Sequence, residues 1–217
     1  MKYMFVVAHP DDEVLGAGAF IHKLVKQESE VCVVILNADY EKTRKEMFED
    51  ISKSHACLGV SNRALFSYKN MAFFSENHRE IVESVEAEIK NFEPDYIFTH
   101  YADDVHTDHR ITSLLVQQAA RLWQRHSEGH KAKALYFMEV LSSTNWGKND
   151  FSPDTYVEVS KEDMEAKMDA LKAYKNVVRP VPHPRSEDCI YALATLRGGD
   201  IGYKFAEAFK TCWRDCL

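Results

Sequence analysis

Tyr3-Met4-Phe5-Val6-Val7-Ala8-His9-Pro10-Asp11-Asp12-Glu13 sets an unbroken apolar run directly before a histidine and three carboxylates. A short continuous apolar run of this kind reads as a strand covered on both faces, the habit of parallel sheets. Pro10 has a fixed φ and no N–H, so it stiffens the exit from the strand. Side chains at the carboxyl end of such a strand project into the crevice where open α/β sheets bind ligands. His106-Thr107-Asp108-His109 follows a second strand, Asp95 to His100, through a short polar loop. The order strand, polar motif, helix therefore occurs twice, and the second motif supplies the matching half of a site.

Outward from the first motif, Val14, Phe20, Ile21, Leu24 and Val25 recur at near-helical spacing and place a helix from Glu13 to Gln27. Val31 to Leu36 reads as a second strand, and Met47, Phe48, Ile51, His55 and Leu58 form a helical stripe ending at Gly59. Ile81, Val85, Ile89 and Phe92 mark a third helix, with Ser75 as its N-cap and Pro94 as its stop. Beyond the second motif, Ile111, Leu115, Gln118, Ala119 and Leu122 describe another. Ala134 to Leu141 and Thr155 to Val159 read as strands, and Met164, Met168, Leu171 and Tyr174 as a helix that Ser160 caps. Pro180, Pro182 and Pro184 enforce an extended loop, after which a helix from Glu187 to Leu196 stops at Gly198-Gly199. The alternation predicts an α/β, Rossmann-like fold: a mainly parallel sheet flanked by helices on both faces, in a single domain over residues 1–217.

Hydrophobic residues make up 45% of the chain and charged residues 28%, which excludes disorder as the main theme. A net charge of −7 and a pI near 5.8 give no broad positive field, so no nucleic-acid partner is expected. The first apolar run is interrupted at Asp11, and no run approaches bilayer length, so no membrane span is expected either. Cys32, Cys57, Cys189, Cys212 and Cys216 include no CxxC pair and are odd in number, which points to reduced thiols in the cytoplasm. Cys32 and Cys57 sit in apolar contexts as small hydrophobes, and Cys212 and Cys216 lie one helical turn apart. Monomer and homo-oligomer both remain open.

Catalytic zinc takes three protein ligands from His, Asp, Glu or Cys and leaves a position for water or substrate. His9, Asp12 and His109 can supply that set. One carboxylate against a doubly charged ion keeps the site net positive, able to lower the pKa of bound water. Zn2+ is the expected ion, although the same donors also suit Fe2+ or cobalt. Amide hydrolysis further needs a base for the water, a donor for the oxyanion and an acid for the departing amine. Asp11 is then the general base for metal-bound water, His106 the oxyanion donor or the acid, and Asp108 the group orienting His106 or a ligand histidine. No GxSxG offers a serine nucleophile instead.

Ala8 to Glu13 after the first strand, and His106 to His109 after a later one, resemble the motifs of the PIG-L/LmbE family of zinc-dependent N-deacetylases. Asp104, two residues before His106, and Arg197-Gly198 through Ala206-Glu207-Ala208-Phe209 extend the likeness over nearly the whole chain. The resemblance implies removal of acetyl groups from N-acetylglucosamine moieties, with a small-molecule amino sugar as partner. It also implies zinc on His9, Asp12 and His109, Asp11 as base, His106 assisting the tetrahedral intermediate and Asp108 beside it. Asn37-Ala38-Asp39 stands where the family commonly has Thr-x-Gly, and Lys175-Asn176 where it often has Ser-Gln, departures that bear on substrate. Arg185 and Arg197 are the candidate contacts for a phosphate or carboxylate of a modified sugar, while Arg179 reads as solvated surface charge.

Blander readings compete at each position. The first motif alone would serve as an acidic cap of the following helix, and Asp108 as the cap of a later one. His22, His55, His78, His126 and His130 read as surface or packing residues, and His100 as a satisfied structural group. Among functions, the alternatives are a metal-dependent amidohydrolase acting on a non-sugar N-acyl substrate, and a non-catalytic nucleotide-sugar binding module. The module needs a phosphate cradle, and the first strand is followed by His-Pro-Asp-Asp and not by GxGxxG.

Overall fold

The structure, a computed structural model, describes residues 1–38, 44–126, 128–146 and 151–215. Its strands are β1 (Lys2–Val7), β2 (Glu30–Ile35), β3 (Asn62–Leu65), β4 (Tyr96–His100), β5 (Ala134–Met138), β6 (Thr155–Glu158) and β7 (Ala206–Arg214). Its α-helices are α1 (Asp12–Lys26), α2 (Arg44–Leu58), α3 (His78–Phe92), α4 (Thr107–His126), α5 (Lys161–Ala173) and α6 (Glu187–Asp200). All the strands join one sheet in the order β3-β2-β1-β4-β5-β7-β6. Pairing is parallel from β3 through β5, and β7 runs antiparallel to both β5 and β6.

The chain leaves β1 in one direction through β2 and β3, then returns to the other side of β1 with β4. Strand order therefore reverses between β1 and β4, and a crevice opens beyond their carboxyl ends. The two motifs follow those ends. Successive residues of β1 face opposite ways: Phe5 and Val7 pack with Phe20, Phe98, Met164 and Leu171, while Met4 and Val6 pack with Ile81, Ile89 and Leu115. Helices cover both faces, which is why the run 3–7 is apolar without alternation.

Helix α1 lies tight against the sheet. A Cβ at Gly16 would come within 3.1 Å of Met138 Cβ, and one at Gly18 within 2.8 Å of Val14 Cγ1 and 3.1 Å of Lys167 Cγ. Both glycines thus serve close packing. No helix among the described residues is long and apolar enough to cross a membrane.

Several boundaries depart from expectation for identifiable reasons. β3 is a short edge strand with exposed Asn62 and Arg63, so it carries no apolar pattern to read. Helix α6 runs through Gly198-Gly199, because Gly198 is a close-approach glycine and not a stop: a Cβ there would meet Phe205 N at 2.7 Å. The chain then forms β7, where Cys212 lies on a strand and not on a helix; Cys216 and Asp39 fall outside the described residues. β5 ends at Met138, short of Leu141. The N-cap of α3 is Asn77, since Ser75 closes a separate 3-10 turn, Phe73–Ser75. Cys57 is exposed on α2 and not packed as a hydrophobe. Ser160 does cap α5, in a reciprocal box with Asp163.

Candidate active site

The first motif turns sharply after β1. His9 N–H donates to Asp12 Oδ2 at 3.0 Å, closing the turn around Pro10. Asp11 follows with φ 99° and ψ −27°, a left-handed conformation rare for a residue bearing a Cβ, and it precedes α1 without a side-chain capping bond. The capping reading of Asp11 thus fails: its Oδ2 accepts instead from Arg185 Nη1 at 3.0 Å. Burial and the neighbouring Asp12 carboxylate push the Asp11 pKa up to about 8, against the pull of Arg185.

His9 Nε2–H donates to Asp108 Oδ2 at 3.1 Å, which leaves Nδ1 facing Asp12 Oδ2 at 3.3 Å. His109 repeats the arrangement in mirror fashion, with Nδ1 on Asp104 Oδ2 at 3.2 Å and Nε2 facing Asp12 Oδ2 at 3.3 Å. Each histidine is held by one carboxylate and turns its other nitrogen toward a shared carboxylate oxygen. Tetrahedral zinc, with bonds of about 2.0–2.1 Å, separates its ligand atoms by roughly 3.3 Å, so each histidine–Asp12 spacing suits two ligands of one ion. Carboxylate-backed histidines are also the usual metal-ligand arrangement.

The electrostatics agree with a cation. Burial opposes a charge on His9, yet Asp108 and Asp12 outweigh it and raise the pKa to about 9. Burial opposes a charge on His109 too, and Asp12 with Asp104 raises its pKa to about 10. Burial alone would raise Asp12, but His109 and His100 hold it well below the ordinary carboxylate value.

Two overlapping groups of donors are close enough to hold a metal ion: His9, His106 and His109, and the fully buried Asp12, His100 and His109. His100 stacks on His109 with ring centroids 3.9 Å apart, and its Nε2 accepts the Ala8 N–H at 2.9 Å. That bond occupies the lone pair a metal would need. His106 makes no side-chain hydrogen bond among the described residues and lies against both His109 and His9, at 4.4 and 5.0 Å between ring centroids. Burial and the neighbouring His109 push its pKa down to about 4.

Asp108 does not orient His106, and it is not an N-cap, since α4 already begins at Thr107. Its carboxylate takes His9 Nε2–H together with the backbone N–H groups of Met71 at 2.7 Å and Phe73 at 3.3 Å. One residue thus fixes His9 and holds the loop 71–73 beside it. Asp104 takes His106 N–H at 2.8 Å and Thr144 Oγ1–H at 2.7 Å besides His109.

His9, Asp11, Asp12, His106 and His109 border a cavity of about 640 Å³, whose lining also includes Glu46, Met47, Asp50, Lys175, Arg179 and Arg185. That size suits a small-molecule ligand. Arg185 lines this cavity, with Nε donating to Ser142 Oγ at 2.9 Å. Arg197 does not: it is held away from this cavity by Glu139, to which Nε and Nη2 donate at 2.8 and 2.9 Å. The expectation of a substrate contact at Arg197 is corrected by that bidentate pair. His183 accepts the Arg185 N–H at 3.0 Å and so serves the loop.

Sequence reasoning missed two participants. His55, read as a surface or packing residue, is fully buried and bonds Glu13 at 3.2 Å. Tyr174, read as core, lines the cavity and donates to Glu13 at 2.9 Å. Both lie far from Glu13 in sequence, and no local spacing announces them.

This α/β protein is a hydrolase acting on an amide C–N bond, by its match to a family of de-N-acetylases. The family model PIG-L: GlcNAc-PI de-N-acetylase matches residues 4–120, and the chain belongs to that family. Among solved structures, N,N'-diacetylchitobiose deacetylase from Pyrococcus horikoshii is 19% identical with a TM-score of 0.76, over 97% of this chain and 83% of that one. The 4-carboxy-2-hydroxymuconate hydratase GalB from Pseudomonas putida KT2440 is 17% identical with a TM-score of 0.80, over 100% and 98%. The zinc-inhibited form of teicoplanin deacetylase Orf2 is 14% identical with a TM-score of 0.76, over 99% of each. At these identities the likeness is one of fold, and the fold carries a hydratase as well as deacetylases.

Proposed function

We propose that the protein is a zinc-dependent N-deacetylase that hydrolyses the acetamide of an N-acetylglucosamine-type sugar or conjugate. The observation that carries this reading is the convergence of His9 Nδ1 and His109 Nε2 on Asp12 Oδ2, each at 3.3 Å, with a carboxylate behind each histidine. His9, Asp12 and His109 would hold the ion; His100 stays out of the set because its Nε2 accepts from Ala8 N–H. Zinc bound there would act as a Lewis acid that lowers the pKa of a water and polarises the amide carbonyl.

The chain's own groups supply the proton handling. Asp11, at the cavity wall, accepts the proton of the attacking water and can return it to the leaving nitrogen. His106, with no partner for its ring among the described residues, offers an N–H to the developing oxyanion or to the amine. Asp108 and Asp104 keep the ligand histidines in the tautomers that face Asp12. Arg185 is the cation beside Asp11 and is available to an anionic group on the substrate. In this reading residues 1–217 act as one domain on a small molecule in the cytoplasm, in keeping with four free cysteines among the described residues.

A second reading, an amidohydrolase for a non-sugar N-acyl substrate, draws on Met47, Met71 and Val105 in the cavity wall, which offer apolar contact where a sugar would want hydroxyl partners. Amine release from free, phosphorylated, nucleotide-linked and glycosidic N-acetylglucosamine, with zinc and with a chelator, decides between them. Zinc-dependent release supports the first reading. Silence on every sugar, with cleavage of other N-acyl compounds by the same metal-loaded sample, moves the assignment to the second.

A further inference from the structure

We propose that Glu13, His55 and Tyr174 form a positioning unit that holds Asp11 in its left-handed turn and so aims its carboxylate into the cavity. The inference rests on the reading of Asp11 as the base. Asp11 sits at φ 99°, a conformation that a residue with a Cβ keeps only when its surroundings over-determine it. No capping bond of its own side chain contributes. Its backbone N–H instead donates to Glu13 Oε2 at 3.1 Å.

Glu13 is fully buried and is itself fixed from two other helices. Oε1 accepts from His55 Nε2–H, on α2, at 3.2 Å and from the Tyr174 hydroxyl, at the end of α5, at 2.9 Å. The remaining nitrogen of His55, Nδ1, is buried without a partner, so the ring's only polar engagement among the described residues is with Glu13. A buried carboxylate with three donors cannot rotate without stranding one of them. The backbone of Asp11 inherits that rigidity through Oε2. None of the three side chains bonds His9 or His109 among the described residues, so the effect is delivered through Asp11 and not through the histidine ligands.

The test combines steady-state kinetics with crystallography. Zinc-loaded protein is assayed for amine release from N-acetylglucosamine, and the variants Glu13→Ala, Glu13→Gln, Tyr174→Phe and Asp11→Asn are compared. Glu13→Ala and Tyr174→Phe are expected to lower kcat on the order of tenfold to a hundredfold, as misplaced catalytic groups do, with KM and zinc per chain unchanged. Glu13→Gln, whose amide oxygen still accepts the Asp11 N–H, is expected to recover most of the loss. In crystals of Glu13→Ala or Tyr174→Phe, Asp11 is expected to leave the left-handed region. Wild-type kcat in Tyr174→Phe, or Asp11 unmoved in both variants, overturns the proposal. Full turnover in Asp11→Asn removes the base reading instead and leaves the backbone measurement to decide the positioning. A wild-type protein silent on this sugar leaves the same crystallographic readout in force.

Discussion

Arg185 donates from Nη1 to Asp11 Oδ2 at 3.0 Å and from Nε to Ser142 Oγ at 2.9 Å. One guanidinium therefore ties the Pro-rich loop to two left-handed residues, Asp11 at φ 99° and Ser142 at φ 80°. With its carboxylate so engaged, Asp11 is shielded in the protein alone, and a phosphate or carboxylate on the substrate offers Arg185 an equivalent partner. Arg185→Ala is expected to raise KM for a phosphorylated acetamido sugar by roughly tenfold to a hundredfold, the equivalent of a charge-assisted bond worth about 1.5–3 kcal/mol. KM for the neutral sugar should change far less. Equal changes for the two substrates would show that Arg185 serves Asp11 and not the substrate.

The proposed ligands His9, Asp12 and His109 and the fully buried group Asp12, His100 and His109 make opposite predictions about His100. If His9, Asp12 and His109 are the ligands, His100→Gln keeps its zinc, because the side-chain oxygen can still accept from Ala8 N–H, whereas His9→Ala loses it. Asp104→Asn weakens the hold on His109 and is expected to lower zinc affinity about 10–100-fold, as such supporting partners do. Competition against a chromophoric chelator measures all three. Loss of zinc in His100→Gln would place the ion in the fully buried group.

The first strand-end motif was legible because β1 is buried on both faces, which leaves Phe5 and Val6 no polar neighbours in sequence until His9. The doubly wound order follows from that alternation. What was not legible depends on contacts across the fold. Asp108 reads as a cap or as a partner of His106, and only the docking of the loop 71–73 turns it toward His9 and the Met71 N–H. Arg197 reads as a free cation until the fold brings it against Glu139, one residue beyond the end of β5. His55 is separated from Glu13 by an entire strand and most of two helices, so its burial against Glu13 has no local signature.

Burial also sorts the cysteines. Desolvation pushes the Cys32 thiol up to about 12, so at pH 8 almost none of it is thiolate, and the thiolate is the reactive form. Cys57 is exposed on α2, with a smaller rise from the same cause. A charged disulfide reagent at pH 8 is expected to label Cys57 first and to leave Cys32 untouched until denaturant is added. Mass spectrometry of the labelled peptides checks the order; early labelling of Cys32 would mean that β2 opens in the native state.

A buried ion pair lies behind the site, where α1 departs from helical geometry at Ala17, φ −152°. A break in the i→i−4 ladder strands donors and acceptors. Here Glu207 takes the N–H groups of Ala19 and Phe20 at 3.2 and 2.7 Å, and Lys167 Nζ donates to the Leu15 carbonyl at 2.8 Å. The two side chains meet at 2.6 Å and are nearly inaccessible, at 7% for Lys167 and 5% for Glu207. Removing one partner leaves a buried charge without compensation, which typically costs about 3–5 kcal/mol. Glu207→Ala should therefore lower the unfolding free energy read from urea titration by that amount, while Glu207→Gln, which can still accept from Ala19 or Phe20, loses less. Because α1 begins at Asp12, its distortion should also reach the metal, and zinc affinity should fall with stability in Glu207→Ala. Stability that falls while zinc affinity stays at the wild-type value would show that the break at Ala17 isolates the first turn of α1 from the rest of the helix.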